Sequence, residues 1–216
     1  MSPSELLGIF GGTFDPVHFG HLRLAEEARE QLKLSQVLWI PAGQPQLREA
    51  PQTPGAARLE MVRRAISQQP AFRLDDAEVL TQQPSYTVDT LRRLRQHYGV
   101  KKSLVLLLGA DAFSRLEAWK EWQALFALAH IAVATRPGHT LKVGAGSTAL
   151  DHEFTQRLAS FDALKQAPAG AIVLFNITAL DISATAIRHT IAHGNSPRYL
   201  APSEVLDYID QHSLYR

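Results

Sequence analysis

Two short apolar runs flank one amphipathic stretch near the start of the chain, and this arrangement restricts the fold more than any other feature. Leu6-Leu7-Gly8-Ile9-Phe10 ends at the pair Gly11-Gly12, and Val37-Leu38-Trp39-Ile40 is stopped by Pro41. The first run reads as a buried strand and the other as a second strand. Between them, residues 20–33 place Leu22, Ala25, Ala28 and Leu32 at helical spacing with charges in between. Strand, helix and strand within about 35 residues make a βαβ unit, and such a unit requires a parallel sheet.

The alternation continues. Residues 55–68 read as a helix, Phe72-Arg73-Leu74 as a weak strand, and residues 87–98 as a helix with Val88, Leu91 and Leu94 on one side. Residues 104–108 form the strongest strand, and residues 130–134 another, closed by Arg136-Pro137-Gly138. A helix over 151–165, a strand over 172–175 and closing helices over 185–193 and 203–211 complete the series. Residues 41–54, rich in Pro, Gln and Gly, and residues 139–149 read as mobile surface excursions. The expected architecture is α/β: one Rossmann-like, doubly wound, mostly parallel sheet flanked by helices. It forms a single domain over residues 1–216 that binds ligands at the carboxyl ends of its strands.

Composition narrows the partners. With 216 residues, 45% of them hydrophobic, the chain can bury one sizeable core. A formal net charge of +1 gives no broad basic field, which argues against nucleic acid or a membrane surface as partner. The absence of cysteine excludes disulfides and thiolate metal sites. Residues 1–5 lack the basic start of a signal peptide, and the apolar runs are too short to span a bilayer. A cytoplasmic protein is expected.

The chemistry concentrates after the first strand, in Gly11-Gly12-Thr13-Phe14-Asp15-Pro16-Val17-His18-Phe19-Gly20-His21. Gly11 and Gly12 permit close backbone approach to a ligand and positive φ. Thr13 offers a hydroxyl, and Pro16 presets a turn or a first helical turn. His18 and His21, at i and i+3, face the same side of a helix start, where free N–H groups favour phosphate. The string is neither a Walker A loop nor a G-x-G-x-x-G fingerprint.

This segment resembles the (H/T)-x-G-H signature of the nucleotidyltransferase superfamily, and in particular the family of bacterial nicotinate-nucleotide adenylyltransferases. The resemblance extends through three further segments. Ser85-Tyr86-Thr87-Val88-Asp89-Thr90-Leu91 opens a helix, with Thr87 a good N-cap candidate by its side chain. In the family this segment lies beside the nicotinate ring, with backbone N–H groups on its carboxylate. Gly109-Ala110-Asp111 closes the strongest strand, where the family approaches a ribose. Trp119, followed by Lys120, matches the place where the family stacks the pyridine ring beside a backbone N–H. Trp122 is assigned to packing. Ile182-Ser183-Ala184-Thr185-Ala186-Ile187-Arg188 resembles the second superfamily signature. Ser183 can cap a helix there, and Arg188 can reach the same anion as a bidentate donor. The chain departs from the family at Leu47, where the usual residue is His; the basic position after it is kept as Arg48. Arg136 is a further phosphate candidate.

The resemblance implies that ATP and nicotinate mononucleotide react to give nicotinate adenine dinucleotide and pyrophosphate, with Mg²⁺ carried on the ATP phosphates. It implies that His18, His21, Arg48 and Arg188 serve catalysis. Gly11, Gly12, Thr13, Ser183 and Thr185, with His18, His21 and Arg188, would bind ATP. Tyr86, Thr87, Gly109, Asp111, Trp119, Lys120 and Arg136 would bind the nicotinate nucleotide. No protein metal ligand is expected. The nearest enzyme alternative, pantetheine-phosphate adenylyltransferase, lacks the Ser-Tyr-Thr segment and the Trp. A nucleotide sensor without turnover would not need both histidines together with Arg188, and a tRNA-acting enzyme is disfavoured by length and charge.

Overall fold

Along every main strand of the computed structural model, successive side chains enter two different apolar cores. The structure describes residues 5–46, 50–81, 83–136 and 148–216. In chain order the elements are β1 (Leu7–Gly12), α1 (Phe19–Gln31), β2 (Gln36–Pro41), α2 (Gly55–Ile66), β3 (Phe72–Leu74), α3 (Ala77–Leu80), α4 (Thr87–Tyr98) and β4 (Leu104–Gly109). There follow α5 (Ala110–Phe113), two 3-10 turns (Leu116–Ala118 and Trp122–Ala124), α6 (Leu125–Leu128), β5 (His130–Thr135), α7 (Ala149–Arg157) and α8 (Ala163–Gln166). The series closes with β6 (Ile172–Asn176), α9 (Ala184–Ala192) and α10 (Ser203–Gln211).

The six strands form one sheet in the order β3-β2-β1-β4-β5-β6, and every pair is parallel. Trp39, Val105, Leu107, Ala132 and Val173 point into the core shared with α1, α2 and α10. Their neighbours Leu38, Leu106, Leu108, Ile131 and Ile172 point into the core shared with α4, α6 and α7. A sheet covered on both faces is why the strand sequences show no polar alternation. The helix faces read from spacing also hold: Ala25, Ala28 and Leu32 on one side, and Val88, Leu91 and Leu94 on the other, are buried.

Two expectations fail. The helix expected over 151–165 is two helices, because Leu158 leaves helical geometry (ψ 124) and bridges Ile172 instead, with the Ala159 N–H donating to Ile172 O at 2.9 Å. Pairing with the edge strand β6 satisfies the backbone that a continuous helix would have satisfied internally. The excursion after β2 is also tied down in its described part. Gly43 and Gln44 donate their N–H groups to Ser85 Oγ at 3.0 and 3.2 Å, and Pro45 bridges Ser85. Most of the excursion expected over 139–149 lies outside the described residues; Ala149 itself starts α7.

One buried group gives the fold a pH dependence. His130, fully buried at the start of β5, donates from Nε2 to Ala167 O at 2.9 Å and accepts the Ala171 N–H at Nδ1 at 3.0 Å. Both ring nitrogens are satisfied only in the neutral form, and burial lowers its pKa below the usual imidazole value. The unfolded chain therefore takes up this proton first as pH falls. Stability linked to His130 is complete above about pH 6.5 and is lost below it, at up to about 1.4 kcal/mol per pH unit. Urea melts of the protein and of His130→Gln between pH 5 and 8 check this: the variant should lose part of the acid-side slope, and equal slopes would refute it.

Candidate active site

The carboxyl ends of β1 and β4 lie side by side at the middle of the sheet, where the direction of the crossovers reverses. Such switch points open a crevice for ligands. The two strand ends are bare. A Cβ on Gly109 would meet nothing within 4 Å, and one on Gly11 only Ile40 O at 4.0 Å. Gly12 is small for a different reason, since a Cβ there would sit 2.8 Å from the Phe14 ring. The positive φ expected at Gly11 or Gly12 falls instead on Phe14 (φ 52). Burial of the Phe14 ring against Phe10 and Trp39, at centroid distances of 5.5 and 5.3 Å, offsets the roughly 1–3 kcal/mol cost of that backbone conformation.

The turn at Asp15 and Pro16 leads into α1, whose N-cap is His18 in extended geometry. The His18 N–H donates to His21 Nδ1 at 3.3 Å, which leaves the proton of a neutral His21 on Nε2. The two rings stack with centroids 3.7 Å apart, and Phe14 meets His21 edge-on at 5.1 Å. His18 is 6% exposed, and burial lowers its pKa to about 4, so the imidazole is neutral near pH 7. Its buried Nδ1 has no hydrogen-bond partner among the described residues.

The second signature meets the first. Gly20 makes room for both, since a Cβ there would lie 3.0 Å from the His18 ring and 3.6 Å from Ile182 O. Ser183 caps α9 as expected, its Oγ accepting the Ala186 N–H at 3.1 Å. Arg188 donates from Nη1 to the Asp15 carbonyl at 2.8 Å and from Nη2 to Thr185 Oγ1 at 3.4 Å, while its buried Nε has no partner among the described residues. Two imidazoles and a guanidinium therefore gather beside two helix N-termini, an arrangement suited to binding phosphates.

A second group forms around α4. Tyr86, not Thr87, is the N-cap; Thr87 is already helical and makes no side-chain cap, which corrects the role expected for it. Tyr86 and the half-buried Trp119 pack on the same apolar cluster, as does Trp122, which also meets Phe126 edge-on. Lys120 Nζ stands 4.6 Å over the Tyr86 ring and 2.9 Å from Asp89 Oδ2. Asp111 is exposed in the first turn of α5, whose N-cap is Gly109. Arg136 is exposed just beyond β5. Leu47 and Arg48 lie outside the described residues.

Residues 9–190 match the family described as cytidylyltransferase-like. A protein of Dechloromonas aromatica named "Probable nicotinate-nucleotide adenylyltransferase" is 56% identical over 214 residues, covering 99% of either chain. The chain belongs to the nicotinate-nucleotide adenylyltransferase family. A protein of Acidithiobacillus ferrooxidans with the same name is 44% identical over 100% of this chain and 98% of its own. A solved structure of Plasmodium falciparum nicotinic acid mononucleotide adenylyltransferase complexed with NaAD shares the fold, with a TM-score of 0.73. It covers 98% of this chain and 97% of its own at 18% identity.

Family membership does not by itself explain what holds the two signatures in place, and here the structure adds residues that sequence reading missed. Arg58 of α2, 1% exposed, donates to Thr13 O (2.7 Å), Ala42 O (2.6 Å), Gly43 O (3.0 Å) and Thr53 O (3.3 Å). It pins the loops that leave β1 and β2. The signal was present: Arg58 shares the α2 face of Met61 and Val62, the buried face. Glu27 ties α1 to the loop before α9 by accepting the Thr178 N–H and Oγ1–H at 2.7 and 2.6 Å. The Asp15 carboxylate is likewise enclosed by Gln52, Thr53 and Tyr215.

Proposed function

We propose that this single nucleotidyltransferase domain joins ATP and nicotinate mononucleotide to give nicotinate adenine dinucleotide and pyrophosphate, a step in NAD biosynthesis. The observation that carries this reading is the hydrogen bond from Arg188 to the Asp15 carbonyl, which brings the second signature onto the first beside the stacked His18 and His21. A phosphate oxygen of the acceptor attacks the α-phosphorus of ATP, a new P–O bond forms, and pyrophosphate leaves in line with the electron pair of the broken bond. The acceptor phosphate is already a nucleophile, so positioning and charge neutralisation supply the catalysis.

His18 and His21 stabilise charge at the α-phosphate, with His18 acting as a neutral donor. The Gly11 and Gly12 backbone and Thr13 hold the phosphates. Ser183, Thr185 and Arg188 take the β- and γ-phosphates, and Arg48 meets the acceptor phosphate or the departing charge. Tyr86, Thr87, Gly109, Asp111, Trp119, Lys120 and Arg136 form the acceptor side, with Trp119 beside the pyridine ring. Among the described residues no group of three or more His, Asp or Glu side chains is placed to hold a metal ion. Mg²⁺ carried on the ATP phosphates and water would offset phosphate charge. No helix among the described residues is long and apolar enough to cross a membrane.

The test is pyrophosphate release from Mg-ATP with nicotinate mononucleotide, nicotinamide mononucleotide or phosphopantetheine offered separately. The first should react fastest. Faster release with phosphopantetheine would overturn the acceptor, and none with any acceptor would overturn the activity.

A further inference from the structure

We infer that Tyr215 and Thr53 are positioning residues for Arg188, acting through the buried carboxylate and the peptide carbonyl of Asp15. Asp15 is 4% exposed, and neutral donors from two distant segments fill its carboxylate. Oδ1 accepts the Thr53 hydroxyl at 2.6 Å and the Tyr215 hydroxyl at 2.7 Å, and Oδ2 accepts the Gln52 N–H at 2.7 Å. These bonds hold both oxygens of the Asp15 carboxylate. The carbonyl of the same residue receives Arg188 Nη1 at 2.8 Å. Among the described residues that is the one short hydrogen bond of this guanidinium, because the contact to Thr185 is 3.4 Å and Nε is unpartnered. The aim of Arg188 thus depends on where Asp15 is held. An acidic residue next to a phosphate site is otherwise unfavourable by like-charge repulsion. Three donors on its oxygens convert it into an internal anchor. Burial and the Asp15 carboxylate raise the Tyr215 pKa, so the phenol remains the donor over the working pH range.

The inference rests on the proposed phosphate-binding role of Arg188, and the experiment separates the two. ATP KM, nicotinate mononucleotide KM and ATP Kd by titration calorimetry are measured for Arg188→Ala, Tyr215→Phe, Thr53→Val, Thr53→Ser and Tyr215→Phe/Arg188→Ala. Tyr215→Phe and Thr53→Val should each raise ATP KM and Kd about five- to tenfold, the scale of one hydrogen bond to a charged group. KM for nicotinate mononucleotide should stay within about twofold, and Thr53→Ser, which keeps the hydroxyl, should restore ATP binding. In the Arg188→Ala background Tyr215→Phe should add less than about twofold, because the two act as one unit. Unchanged ATP binding in Tyr215→Phe and Thr53→Val, or effects that multiply with Arg188→Ala, overturns the inference while leaving Arg188 in its role. Unchanged ATP binding in Arg188→Ala overturns that role and the inference with it. Should Tyr215→Phe fail to fold, the Thr53→Val and Thr53→Ser pair decides.

Discussion

His18→Ala should lower kcat by about 10²–10³, the roughly 2.7–4 kcal/mol lost when one preorganised donor is removed from a site of developing charge. The expectation rests on the state of the ring. His18 is buried, stacked on His21, neutral near pH 7, and carries a ring nitrogen that no described protein group satisfies. Its orientation is fixed before substrate arrives, so no reorganisation is needed during reaction. A neutral imidazole donates a hydrogen bond without changing charge. kcat/KM should therefore show no His18 ionisation between about pH 6 and 8, with its protonation confined to the region of about 4. Steady-state pyrophosphate release across pH checks both statements. The melting temperature, measured alongside, separates loss of the buried, stacked ring from loss of catalysis. A variant that keeps kcat within threefold of the parent would remove His18 from catalysis.

Arg58→Met should act in the opposite way, on the fold before the chemistry. Methionine keeps the length and the apolar stem but none of the donors, so carbonyls of Thr13, Ala42, Gly43 and Thr53 lose their partner together. Leaving a buried acceptor unsatisfied costs about 1–3 kcal/mol, and backbone relaxation or water recovers part of the sum. A net loss of about 3 kcal/mol corresponds to a fall in Tm of about 6–12 °C for a chain of this size. Calorimetry and urea melts measure it. ATP KM should rise as well, since Thr13 and Ala42 belong to the loops at the ends of β1 and β2. A Tm within about 2 °C of the parent would show that these carbonyls find other partners.

The sheet was legible because its strands are buried on both faces, and such strands leave unmixed apolar runs of recognisable length. The one-turn helices α3, α5 and α6 were not, since four residues are too few to establish a period. The false helix over 151–165 arose because Leu158 has good helical propensity, while its backbone pairs with Ile172, a partner that local sequence does not reveal. The two signatures were legible from their spacing, and the structure joins them. Thr87 was given the cap that belongs to Tyr86, since a hydroxyl suggests a cap wherever a helix begins. The link from Asp15 to Thr53 and Tyr215 was not legible, because Asp15 and Tyr215 are 200 residues apart and no spacing rule joins them.

The place of β1 in the sheet has a consequence for synthesis. β1 pairs with β2 on one edge and β4 on the other, so nearly 100 residues separate its emergence from the arrival of its second partner. Until then a growing chain presents Leu7, Ile9 and Phe10 beside an unfilled row of backbone donors and acceptors, the template on which chains pair wrongly with one another. The segment that leads into the first signature therefore needs shelter on the ribosome until β4 arrives.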